Sequence, residues 1–157
     1  MRERDREQRQ AVRNAGKLSA TRALPVTSEI RTMITGIGID VVQNDRIRDS
    51  IQRFGDRFVD RIYTAAEKEY CRNAAHPAIH YAARWAAKEA AFKALGTGWA
   101  AGVTWKDVEV LRLASGKPEL RLFGEALTRA GSLGATKFYV SLTHDHLISC
   151  AVVIFEA

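Results

Sequence analysis

Four groups of residues have the types and spacing to do chemistry. Asp40 ends an otherwise apolar run, Met33-Ile34-Thr35-Gly36-Ile37-Gly38-Ile39. A carboxylate in such surroundings is paired, protonated or bound to a cation, because an isolated buried charge is very costly. It can also cap a helix that begins near Gln43–Asp45. Glu89 lies among small residues in Trp85-Ala86-Ala87-Lys88-Glu89-Ala90-Ala91-Phe92, where the alanines let another group approach closely. Lys93 follows four residues later on the same helical face, so a surface ion pair is the alternative use of Glu89. Lys93-Ala94-Leu95-Gly96-Thr97-Gly98 carries glycines that let backbone N–H groups near phosphate oxygens, although Gly96 serves equally as a helix C-cap. Its spacing is not that of a P-loop. Ser141-Leu142-Thr143-His144-Asp145-His146 sets two histidines around an aspartate. No cysteine or further histidine completes a zinc set, and no nucleophile elbow supports a serine triad.

These residues need elements to hold them. Met33 to Val42 is β-branched and reads as a buried strand. Residues 43–54 read as a helix, with Ile47, Ile51 and Phe54 on one face and Gly55 as its break. Thr64-x-x-Glu67 is a capping-box signature for a helix over about 65–72. His76 to Leu95 is the clearest helix, with Pro77 in its first turn and Gly96 at its end. Beyond Gly102 the pattern changes to strands: Val108–Leu113, a turn at Ser115-Gly116-Lys117-Pro118, and Leu120–Leu122. A helix over 123–133 and a hairpin of Thr136–Thr143 with Leu147–Phe155 complete the order. This succession predicts an α+β fold, an antiparallel sheet with a long helix packed on it.

Composition excludes several classes. The 157 residues are 46% apolar and 27% charged, as in an ordinary soluble protein. Residues 1–32 carry eight of the 24 basic residues and four of the 18 acidic ones, so much of the net +6 lies there. This stretch is expected to be a flexible basic extension, with the functional unit over 33–157. No basic stripe with aromatics points to nucleic acid. No apolar stretch is long enough to span a membrane, and no secretory h-region is present. Cys71 and Cys150 match no metal or redox spacing, which fits a cytoplasmic location, and Cys150 is expected to be buried.

Taken together, the motifs resemble one family, the holo-acyl-carrier-protein synthase type of phosphopantetheinyl transferase. The resemblance spans about 33–157. It rests on Gly36-Ile37-Gly38-Ile39-Asp40-Val41-Val42 with Arg46-Ile47, on Arg84-Trp85-Ala86-Ala87-Lys88-Glu89-Ala90-Ala91-Phe92-Lys93-Ala94-Leu95-Gly96-Thr97-Gly98, on Gly116-Lys117-Pro118, and on Val140-Ser141-Leu142-Thr143-His144-Asp145. It implies transfer of 4′-phosphopantetheine from coenzyme A to a serine of an apo acyl carrier protein, releasing 3′,5′-ADP, in fatty acid or polyketide synthesis. Asp40 and Glu89 are the implied Mg²⁺ ligands and Lys93 a catalytic partner beside the phosphates. Arg84, Lys93, Gly96 and His144 are the implied coenzyme A contacts. Arg46 is the implied docking residue for the acidic carrier protein. Arg53, Arg57 and Arg61 extend it into a basic strip, although Asp45, Asp49, Asp56 and Asp60 interleave with them. The small members are homotrimers with shared active sites. Thr143 stands where many relatives have serine, and Val42 replaces a third carboxylate found in larger relatives. The rival readings are a metal-dependent phosphohydrolase acting on coenzyme A or a nucleotide, and a non-catalytic coenzyme A binding module.

Overall fold

The β-branched run after Met33 forms β1, Ile34–Gln43. The structure, a computed structural model, describes residues 33–97 and 102–157, so the stretch 1–32 and Gly98 of the glycine motif lie outside the described residues. Helices α1 (Asn44–Phe54), α2 (Asp56–Ile62), α3 (Ala65–Arg72) and α4 (Pro77–Leu95) follow in order. A 3₁₀ turn at Trp105–Asp107 then leads into β2 (Val108–Arg112) and β3 (Pro118–Leu122). Helix α5 (Gly124–Ser132) precedes β4 (Lys137–His144) and β5 (Ile148–Glu156).

Two antiparallel sheets result: β1-β5-β4, and the β2-β3 hairpin. In the larger sheet Asp40 pairs with Ala151, and His144 with Ser149. Alternate residues of β5, namely Ser149, Ala151, Val153 and Phe155, point inward and are buried. By the same parity Cys150 turns outward with Val152 and Ile154 and is only half-buried, so the expectation of a buried Cys150 is corrected; Cys71 is the fully buried thiol. β1 is likewise buried on one face alone. Ile37, Ile39 and Val41 are each 60–63% exposed, because nothing among the described residues covers that side.

Helix α4 lies on the inner face of this sheet. It is rich in alanine because it is enclosed on most sides: Ala82, Ala83, Ala86, Ala87, Ala90 and Ala91 are at most 2% exposed. Pro77 occupies its first turn, and Gly96 ends it at φ 71°, a left-handed cap that favours glycine. The capping box anticipated for α3 is complete. Thr64 Oγ1 accepts from Glu67 N, and the Glu67 carboxylate accepts from Thr64 N at 2.9 Å.

Glu67 also joins the layers. Its Oε1 accepts from Val110 N at 2.9 Å, and its Oε2 lies 2.9 Å from Lys88 Nζ. Lys88 donates to the carbonyls of Trp105 and Val108 as well, so all three ammonium protons have acceptors. Neither side chain is exposed, and the pair ties α3, α4 and β2 together.

Candidate active site

The strand parity that turns Gly36 and Gly38 toward α4 turns Asp40 toward it too. Both glycines are required by close approach. A Cβ on Gly38 would lie 1.9 Å from the carbonyl oxygen of Ala90, and one on Gly36 2.5 Å from that of Ala94. The strand and helix backbones therefore nearly touch, and Asp40, Glu89 and Lys93 converge where the seam opens. Lys93 Nζ is 2.9 Å from Asp40 Oδ1 and donates to the Ile39 carbonyl at 2.8 Å. Asp40 does not cap α1: the N-cap residue is Gln43, with no side-chain cap bond. Lys93 reaches across to the strand, so the simple surface pair along the helix is not the arrangement adopted. Burial, and then the nearby Asp40 charge, raise the Glu89 carboxyl above its ordinary range, while Lys93 and Arg46 oppose that shift. Two carboxylates held close enough to repel, with a lysine against one of them, form a place for a cation. Gly96 stands exposed one turn beyond Lys93, its N–H bonded to the Lys93 carbonyl at 3.0 Å.

A second cluster forms elsewhere on α4. Arg84, only 3% exposed, lines a cavity of about 330 Å³ with Tyr70, His80, Arg112, Gly116 and His144. The Arg84 guanidinium sits 4.1 Å over the Tyr70 ring and donates to the His80 carbonyl at 3.4 Å, and its Nε has no hydrogen-bond partner. The His80 and His144 rings meet edge-on at 5.5 Å, as do Tyr70 and His80. Burial holds the His80 imidazole below its ordinary range, reinforced by His144, Arg84 and Arg112. The cavity thus joins Arg84, His144 and the Gly116–Pro118 turn, all singled out in the sequence. Sequence reading missed Tyr70, His80 and Arg112. For His80 the signal was present, since it stands one helical turn before Arg84.

The two clusters point in different directions. Arg84 and Glu89 are five residues apart on one helix, which rotates their side chains by about 140°. Arg84 and Lys93, nine apart, are on nearly opposite sides.

Arg46, Arg53 and Arg57 are exposed on α1 and α2. Their interleaved acids are engaged by other bases: Asp45 and Asp49 by Arg48, Asp56 by Arg72, and Asp60 by Lys68. Arg53 lies 5.0 Å from the centroid of the half-exposed Phe54 ring. In the His144-Asp145-His146 turn, Asp145 Oδ1 accepts from Leu147 N at 2.7 Å and Ile148 N at 2.8 Å. These bonds hold its carboxyl below the ordinary range and give it a structural task. Asn44, buried below, donates to the Asp145 carbonyl at 2.9 Å and accepts from Ser149 Oγ at 2.7 Å, which fixes the hairpin that carries His144. Among the described residues no three His, Cys, Asp or Glu side chains gather into a complete metal set, and no helix is long and apolar enough to cross a membrane.

The profile of the 4′-phosphopantetheinyl transferase superfamily matches residues 36–151. The holo-acyl-carrier-protein synthase of Koribacter versatilis is 50% identical over 124 residues, covering 79% of this chain and 99% of that protein. The synthase of Solibacter usitatus is 48% identical with the same coverage. Among solved structures, the synthase of Neisseria meningitidis superposes with a TM-score of 0.72 at 35% identity, covering 80% of this chain and all of that one. The Helicobacter pylori synthase in complex with coenzyme A superposes with a TM-score of 0.67 at 27% identity, covering 76% and 98%.

Proposed function

The chain belongs to the 4′-phosphopantetheinyl transferase superfamily and, within it, to the holo-acyl-carrier-protein synthases, and from that premise we propose the following reaction. A serine hydroxyl of an apo acyl carrier protein attacks the pantetheine-side phosphorus of the coenzyme A diphosphate. A new P–O bond forms to the serine, the bond to the other phosphate breaks, and 3′,5′-ADP leaves. The hydroxyl proton passes to Glu89 or to water.

The observation that carries this reading is the convergence of Asp40, Glu89 and Lys93 at the open end of the β1–α4 seam. The donor set fits a magnesium ion. Mg²⁺ is commonly held by one or two carboxylates with substrate phosphates and water, and here Asp40 already draws an ammonium to itself while Glu89 is disfavoured as a bare charge. Asp40 and Glu89 would hold the ion, which when bound neutralises the diphosphate and the charge growing on the leaving group. Lys93, half exposed, would contact the same phosphates. Arg84, His144 and the Gly116–Pro118 turn would hold the nucleotide end. Arg46, Arg53 and Arg57 would dock the acidic carrier protein, and Arg46 lies near enough to lower the Glu89 carboxyl, so docking and chemistry adjoin.

A homotrimer accounts for two further features. The apolar outer face of β1, with Ile37, Ile39 and Val41, is covered by other copies of the chain. Sharing also brings one copy's Arg84–His144 cavity to another copy's Asp40–Glu89 seam, which a single helix cannot do with faces about 140° apart. We assign this work to residues 33–157, in the cytoplasm, without nucleic acid or membrane as partner.

Intact-protein mass spectrometry tests the reading directly. Apo acyl carrier protein is incubated with the full chain, coenzyme A and Mg²⁺. A phosphopantetheine mass gain that a chelator abolishes is the expected result. Coenzyme A cleavage without modification of the carrier protein would identify a hydrolase instead.

A further inference from the structure

His80 has no part in the reaction as described, yet it faces the cavity that the nucleotide end would fill. We infer that His80 couples capture of the ribose 3′-phosphate of coenzyme A to uptake of one proton, so that the pocket binds its donor more tightly as pH falls; this rests on the transferase reading above.

The cavity has the chemistry of a phosphate-monoester site. Arg84 and Arg112 bring two guanidiniums, His144 adds an imidazole, and no carboxylate is among its lining residues. Guanidiniums recognise phosphate through paired donors. The buried Nε of Arg84 is a donor without a partner, in a residue that has reason to keep one available. A neutral imidazole offers a single N–H, whereas its protonated form donates from both nitrogens. His80 therefore serves a dianion best as imidazolium.

Its neighbours prevent that form while the pocket is empty. His76 just before its helix, Arg84 on it, His144 on β4 and Arg112 on β2 are all basic and all disfavour its charge. From α3 it meets the Tyr70 ring, and Glu69 lines an adjoining cavity with it as the one acidic group on that side. The half-buried ring is held mainly neutral by burial and by these charges. A bound dianion reverses the balance, because an opposite charge at contact favours the protonated ring. The sign follows from linkage: the complex holds more protons than the free protein, so affinity rises as pH falls from the bound-state midpoint toward the free-state one. The limit is about tenfold per pH unit. Above about pH 6.5 the phosphate remains mostly dianionic, so its own titration does not mask the effect.

The test is calorimetry of the full chain with coenzyme A and with 3′-dephospho-coenzyme A, in EDTA to remove metal. It is run at about pH 6.8 and about pH 7.8, in buffers of differing ionisation enthalpy. With coenzyme A, the wild-type chain takes up close to one proton, and its Kd falls about five- to tenfold between the higher and the lower pH. Dephospho-coenzyme A shows neither effect. His80→Phe keeps a ring of similar bulk and cannot be protonated. It loses both the uptake and the pH dependence while its circular dichroism stays that of the wild-type fold. His80→Gln is the second variant if the first is poorly folded. By NMR the His80 ring titrates below the ordinary histidine midpoint in the free protein and above it once coenzyme A is added. Uptake that survives in both variants, or that is equal with dephospho-coenzyme A, would overturn the role of His80 while leaving the transferase reading intact. Absence of any coenzyme A binding to the wild-type chain, with no carrier-protein product, would overturn both.

Discussion

Gly38→Ala tests whether the seam between β1 and α4 positions the chemistry. The added Cβ would stand 1.9 Å from the Ala90 oxygen and 2.9 Å from the Ala90 carbon and the Ala94 nitrogen. All three are helix backbone atoms, so no side-chain rotation relieves the clash. Restoring even a 3.0 Å contact requires α4 to retreat by about 1.1 Å. At Gly36 the corresponding retreat is about 0.5 Å, from the Ala94 oxygen at 2.5 Å. Overpacking of this kind costs about 1–3 kcal/mol, more when backbone must move. The functional loss is larger than the stability loss. Asp40 rides on the strand while Glu89 and Lys93 ride on the helix, so the retreat separates them directly. A misplacement of about 1 Å costs about 100-fold in rate. The assay is the rate of holo carrier protein formation, read beside circular dichroism and a thermal melt. Gly38→Ala should keep its helical signal, melt lower and lose about 100-fold in rate, while Gly36→Ala loses less than about tenfold. A folded Gly38→Ala variant within about twofold of the wild-type rate would refute the reasoning.

Four further outcomes follow from the same geometry. Glu89→Gln loses about 100-fold or more in transfer yet melts no lower than the parent, since burial and Asp40 already oppose the charge it removes; normal transfer would end the metal-ligand assignment. Arg46→Glu raises the Kd for carrier protein about tenfold and leaves coenzyme A affinity unchanged in separate titrations; equal loss of both would count against docking. Lys88→Met strands the buried Glu67 charge and destabilises by about 3–5 kcal/mol in urea melts; a cost below about 1 kcal/mol would show that the pair is unimportant. Cys71, its thiol pushed up to about 12 by burial, resists alkylation in the native protein at neutral pH and reacts once the chain is unfolded; rapid modification of Cys71 in the folded protein, read by peptide mapping, would place the core elsewhere.

Much of this was legible in the sequence because it is local. The capping box at Thr64 and Glu67, the proline and glycine bounding α4, and the apolar run of β5 are each set by neighbours within a few residues, and the corresponding elements lie within a residue or two of where the sequence suggested. The site was less legible, since it depends on which faces meet. That Asp40 pairs with Lys93, 53 residues away, and does not cap α1, follows from how β1 lies on α4; no local pattern encodes it. The burial of β1 was misjudged for a related reason. A β-branched run states that a strand wants covering on both faces, but not whether the rest of the chain supplies both covers, and here Ile37, Ile39 and Val41 stay exposed among the described residues. His80 escaped notice because its place one helical turn before Arg84 gains a meaning only when Arg112 and His144 arrive from β2 and β4. The glycines of Gly36-Ile37-Gly38 were read as part of a motif, yet their necessity appears only when the carbonyls of Ala90 and Ala94 occupy the space a side chain would need. The motif and the alanine-rich helix are therefore one feature read at two places in the chain: the glycines and the alanines together let two backbones touch, and that contact sets the spacing between Asp40 on the strand and Glu89 and Lys93 on the helix.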